Sequence, residues 1–266
     1  MWKMIGRILD FRAVALYLLT ILILIFTNQS GAPSLTDLLG GVPRSGSVYS
    51  LDVYGMIKWC VCVFPPVAAS VLFMLQETGI FSGYTVIRYK NVKMWMITRL
   101  GAVIAANMFY FILCVIFTTV TGSNAHLAMT AIAHIALIFQ IHTTMLSFLS
   151  VSALMITRKP AIPLIVFFII TGVTVMLGTT VPTLSKYMIG LYGMVCISNI
   201  YGTDTQGDVI ISTSVMLLLV FSAALITIRQ VKVKIQLPFR VQIRRISWSL
   251  LSKSSTSVNL LKVVKY

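Results

Sequence analysis

Charge is missing from this chain in long blocks. Ala13–Phe26, Ile57–Leu75, Leu100–Val120, Leu127–Met155, Ile162–Val181 and Val209–Ile228 hold no Asp, Glu, Lys or Arg within them, apart from Lys58. Runs of roughly 20 apolar residues match a hydrocarbon core of ~30 Å at ~1.5 Å rise per residue. Backbone at that depth meets no water, so each run must close its own hydrogen bonds as helix. The pattern predicts an all-α membrane protein with six transmembrane helices, both termini cytoplasmic, and short interfacial helices. A mean hydropathy of +0.95 and a hydrophobic share of 58% set the chain apart from ordinary soluble domains. The connections between spans leave no room for a separate soluble domain, and no GxxxxGK[ST] run occurs, so the chain has no P-loop of its own.

The orientation follows from the basic residues. With both ends placed inside, all but Arg44, Lys58 and Lys186 of the 21 Lys and Arg residues fall on the cytoplasmic side, the asymmetry that orients multi-span proteins. The net charge of +15 is therefore read as topological, not as a nucleic-acid surface. Lys3, Arg7 and Arg12 before the first apolar run resemble a signal peptide, but no small-residue cleavage site follows Phe26, and a retained first helix is expected. Pro65 and Pro66 should kink the second span. Gly172 and Gly178 suit close helix contact in the fifth. On the external side, Pro182–Asp208 is too apolar for a solvated loop. A short re-entrant or interfacial helix is expected there, packed on the ends of the fifth and sixth spans.

Catalytic chemistry finds little support. Neither HExxH nor GxSxG occurs, and Glu77 is the only acid near a span interior. Cys60, Cys62, Cys114 and Cys196 form no metal or redox spacing and read as small apolar fillers. His126, His134 and His142 share one predicted helix. Steps of eight residues separate neighbours by ~12 Å and ~80°, so they cannot share a metal ion. They read as polar groups that bond neighbouring helices or line a cavity. His134, Gln140 and His142 are the candidate polar residues of a translocation path.

The least generic segment is Gln76–Arg99. Glu77 closes the second span, Gly79 and Gly83 break it, and Ile87-Arg88-Tyr89-Lys90 and Lys93-Met94-Trp95 follow before the third. On composition it is either a positive-inside anchor with Trp95 at the headgroups or a short amphipathic helix on the cytoplasmic face. This run, with the six-span layout and the apolar external segment, resembles the cytoplasmic loop of small ABC-2-type permeases. Those are membrane subunits of ABC transporters found in bacteriocin and lantibiotic export or immunity. The likeness covers residues 1–232 as architecture and about twenty residues as sequence.

The resemblance implies a multi-pass protein of the bacterial cytoplasmic membrane. It implies pairing with a second permease copy or paralogue, and a separate P-loop ATPase subunit that holds ATP and Mg. The permease itself would carry no cofactor. Glu77, Arg88, Tyr89, Lys90 and Trp95 would be the ATPase-coupling residues, and Met1–Arg12 an interfacial helix. Residues 233–266 depart from the family. Phe239, Ile243, Ile246 and Leu250 stand at helical spacing beside Arg240, Arg244, Arg245 and Lys253. That tail is either a basic amphipathic helix on anionic lipid or a solvated chain. Two functions are carried forward: a permease subunit exporting amphipathic peptides, and a non-transporting immunity or scaffold protein.

Overall fold

The computed structural model describes residues 2–27, 34–39, 41–42, 52–79, 92–121, 129–181, 188–194 and 212–230. Eight helices cover most of them: α1 (Trp2–Ile8), α2 (Phe11–Phe26), α3 (Leu35–Leu39), α4 (Val53–Gly79), α5 (Val92–Val120), α6 (Met129–Thr157), α7 (Ala161–Thr180) and α8 (Ser212–Gln230). The described residues are all helix, turn or coil. Five helices, α4 to α8, are long and apolar enough to cross a membrane. The first expected span is shorter. Its 16 residues reach about 24 Å, less than a ~30 Å hydrocarbon core. The apolar run is itself short, and Asp10 sets the start of α2 two residues ahead of it, its carboxylate accepting from the Ala13 N–H at 2.9 Å and parting α1 from α2.

The packing is centred on α4 and α6, with α2 and α5 against them and α7 beside α6. Pro65 and Pro66 lie inside α4. Pro66 has no N–H for the Cys62 carbonyl four residues back. The Tyr110 hydroxyl, reaching across from α5, donates to that carbonyl at 2.9 Å. A π-turn, Ile169–Val173, interrupts α7 at Gly172. On the outer faces, Leu217, Leu218, Phe221 and Leu225 of α8 and Ile165, Phe168 and Ile169 of α7 are exposed, the surface expected of helices whose solvent is lipid. Inside, hydroxyls tie helices together: Ser152 of α6 donates to the Ala223 carbonyl of α8 at 2.9 Å and lies 2.8 Å from the Thr227 hydroxyl.

The apolar segment after α7 is partly described. Met188–Met194 contains a single 3₁₀ turn, Ile189–Leu191, where a short helix was expected. It packs on α7, with Leu191 and Met194 fully buried. Two glycines make that close approach possible. At Gly190 a Cβ would collide with the Ile170 carbonyl and the Thr174 hydroxyl. The Gly190 N–H donates to that hydroxyl at 3.1 Å. At Gly193 a Cβ would collide with the ring of His142.

Candidate functional site: a charged clasp and a buried polar core

The first cluster lies where α4 ends and α5 begins. Glu77 is buried on the last turn of α4. Arg99, one turn beyond Trp95 on α5, is fully buried and forks onto one Glu77 carboxylate oxygen, Nε at 3.1 Å and Nη2 at 2.8 Å. The other oxygen takes Nη1 of Arg7 from α1 at 3.0 Å. The Arg99 guanidinium lies 4.2 Å from the centre of the Trp95 ring and donates to the Trp95 carbonyl at 3.1 Å. One carboxylate thus joins three helices. The arms differ: the Arg99 side chain is 0% exposed and that of Arg7 is 48% exposed. The buried arm is the strong one in the sense that breaking it strands a charge, whereas the exposed arm is screened.

Of the coupling residues expected from sequence, Glu77 and Trp95 fall in this clasp. Trp95 is buried beneath Arg99 and is not a headgroup anchor, because its ring covers a cation in the helix interface. Arg88, Tyr89 and Lys90 lie outside the described residues, as do His126 and the tail with Arg240, Arg244 and Arg245. Arg99 is not among the residues that the sequence singles out for this site. The signal that could have found it is the lone acid Glu77, which needs a cation in lipid, with a Trp and an Arg at i, i+4 at the start of the next span.

The second cluster is mid-helix on α6, and here the expected path residues separate. His134 is exposed, Gln140 is half-buried and His142 is fully buried. At about 100° per residue, Gln140 and His142 stand on nearly opposite sides of α6. The three therefore do not line one path in this conformation. Gln140 faces α5 and donates to the Ile104 carbonyl at 3.0 Å. Below it Asn107 of α5 donates to the Ser147 hydroxyl at 3.3 Å. His142 faces α4 instead, its ring centre 5.8 Å from that of Trp59, with Phe139 also on Trp59 at 6.4 Å. Neither nitrogen of His142, nor Nε1 of Trp59, has a hydrogen-bond partner among the described residues. Each such atom in an apolar interior costs on the order of 1–3 kcal/mol.

An apolar groove of about 450 Å³ runs beside Met56, Cys60 and Phe64 of α4 and Phe168 and Gly172 at the π-turn of α7. Cys60, Cys62 and Cys114 are free thiols in or beside the packed interior, and no group of three metal-binding side chains occurs among the described residues. No family model, no curated protein and no solved structure matches this chain.

Proposed function

We propose that the chain is the membrane-spanning permease subunit of an ATP-binding cassette exporter that moves amphipathic peptides or similar antimicrobial substrates. A separate P-loop ATPase, holding ATP and Mg, would drive it. In this reading α2 also spans the membrane, as the first of six spans, both termini face the cytoplasm of a bacterium, and a second permease copy or paralogue completes the path. The observation that carries it is the clasp at Glu77. It locks the end of α4, the start of α5 and α1 together at the two roots of residues 80–91. A push on that connection would turn both spans as a unit, since packed helices move as rigid bodies and not by local bending. Arg88, Tyr89 and Lys90 would meet the ATPase, while Glu77 and Trp95 transmit the motion.

The test is purification of the tagged chain from its native cell in mild detergent. A stoichiometric P-loop ATPase is expected, lost on Arg88→Glu with Lys90→Glu while the chain still inserts. Recovery without any ATPase, under conditions that preserve such complexes, would overturn the reading. It would favour the second one, a non-transporting immunity or scaffold protein. The observation on the side of that second reading is the direct packing of Gly193 on His142, which closes the interior at that point.

A further inference from the structure

His142 is fully buried at mid-helix, yet both its nitrogens lack a partner among the described residues, and so does the indole N–H of Trp59 beside it. Buried polar atoms are usually hydrogen-bonded, and these three belong to two rings in contact, their centres 5.8 Å apart. The face of the imidazole is covered by the backbone of Gly193, so close that a methyl group there would overlap the ring. We propose that His142 and Trp59 form a recognition site for a peptide amide group, and that Met188–Met194 covers this site in the present conformation.

The ligand class follows from the donors and acceptors. Indole supplies one donor. Neutral imidazole supplies one donor and one acceptor. A carboxylate would leave the imidazole acceptor unused, and an ammonium would leave both donors unused. A peptide backbone presents amides in series, so the carbonyl of one unit accepts from a donor while the N–H of a neighbouring unit meets the imidazole acceptor, which uses the whole set. The aromatic walls, Trp59 and Phe139, suit apolar side chains next to that amide. Apart from the packing of Leu191 and Met194, the cover's hydrogen bonds are exchangeable: the Gly190 N–H on the Thr174 hydroxyl and the Val42 N–H on the Met194 sulfur at 3.3 Å, a weak acceptor. The regular structure of Met188–Met194 is a single 3₁₀ turn, Ile189–Leu191.

The choice of a peptide as ligand rests on the export reading and deepens it by naming where the cargo is held. The binding test uses no ATPase, so the two readings fail separately. A chain that recruits an ATPase but binds no peptide loses only this site. A chain that binds peptide but recruits no ATPase loses only the exporter.

The probe is acetylated, amidated tetraleucine, titrated into the full chain in detergent and followed by tryptophan fluorescence. The expected result is a saturable change that disappears in Trp59→Phe and weakens about thirtyfold in His142→Leu, the loss of the imidazole donor and acceptor together. The probe methylated at every amide nitrogen and ending in a dimethylamide, which has no amide N–H, should weaken about fivefold, the loss of one hydrogen bond. Gly193→Ala should bind more tightly, because its methyl group displaces the cover. A merely structural role would not move these variants in opposite directions. Equal affinity in His142→Leu, indifference to N-methylation, or no saturable change in either the wild type or Gly193→Ala would overturn the proposal. If Gly193→Ala does not fold, His142→Leu and the N-methylated probe decide it.

Discussion

Glu77→Gln removes the one negative charge in the clasp while keeping the shape of the side chain. The consequence depends on what remains. The Arg99 guanidinium, 0% exposed, would keep the Trp95 ring and carbonyl and still donate to the Gln amide oxygen, but would lose its counter-charge. Stranding a buried charge in this way costs about 3–5 kcal/mol. Arg7→Ala removes the other arm, but that side chain is 48% exposed, so its loss should cost less than about 1 kcal/mol. Combining Glu77→Gln with Arg99→Leu removes both the acid and the stranded cation. It should recover most of the loss, because a buried pair replaced by apolar packing is often neutral. The assay is reversible unfolding of the purified chain in mixed micelles with a rising fraction of SDS. The order expected, from mildest to most severe, is Arg7→Ala, the double variant, then Glu77→Gln. Added salt should erase the Arg7 effect and leave the Glu77 effect in place. The reasoning is refuted if Arg7→Ala is as harmful as Glu77→Gln, or if the double variant is no more stable than the single one.

Three further outcomes are expected. Tyr110→Phe should destabilise by about 1–2 kcal/mol, because the Cys62 carbonyl already lacks the donor that Pro66 cannot supply. Pro66→Ala restores an N–H and should make Tyr110→Phe milder, which unfolding of the double variant would read. Arg158, between α6 and α7, holds φ at 59°, a left-handed conformation costly for any side chain with a Cβ. Arg158→Gly should raise stability by about 1 kcal/mol, and a thermal scan that shows no gain would count against strain at that turn. Ser152→Ala and Thr227→Ala should couple by about 0.6 kcal/mol in a double-mutant cycle, the usual scale for a hydrogen bond between membrane helices, and purely additive effects would sink the α6–α8 link.

Much of the architecture was legible in hydropathy. Long apolar runs can only close their backbone bonds as helices in lipid, and α4 to α8 occupy the runs that hydropathy marks. The break before α2 is written in Asp10, a capping residue, whereas hydropathy alone marks the run as a span. The site was less legible. Glu77 stood out because an acid near a span interior is expensive, but its partners lie 70 and 22 residues away in sequence. The unexpected burial of Trp95 has the same origin: hydropathy registers an aromatic residue near a helix end and cannot tell which face it takes.

The polar core marks the boundary between the two levels most clearly. Periodicity alone showed that the histidines could not share a metal ion, since 3.6 residues per turn sets their separation on any helix. It could not show that Gln140 turns to α5 while His142 turns to α4, because that depends on which helices flank α6. Nor could it show that Gly193 rests on His142. The meaning of that glycine exists only once a distant turn folds back against α6. Sequence by itself determined the long apolar helices and marked Glu77 as an unusual acid, both of which follow from local chemistry. The choice of cation, and the enclosure of His142 and Trp59 beneath a turn from far along the chain, were decided by tertiary packing, where pairing depends on distances that no local pattern encodes.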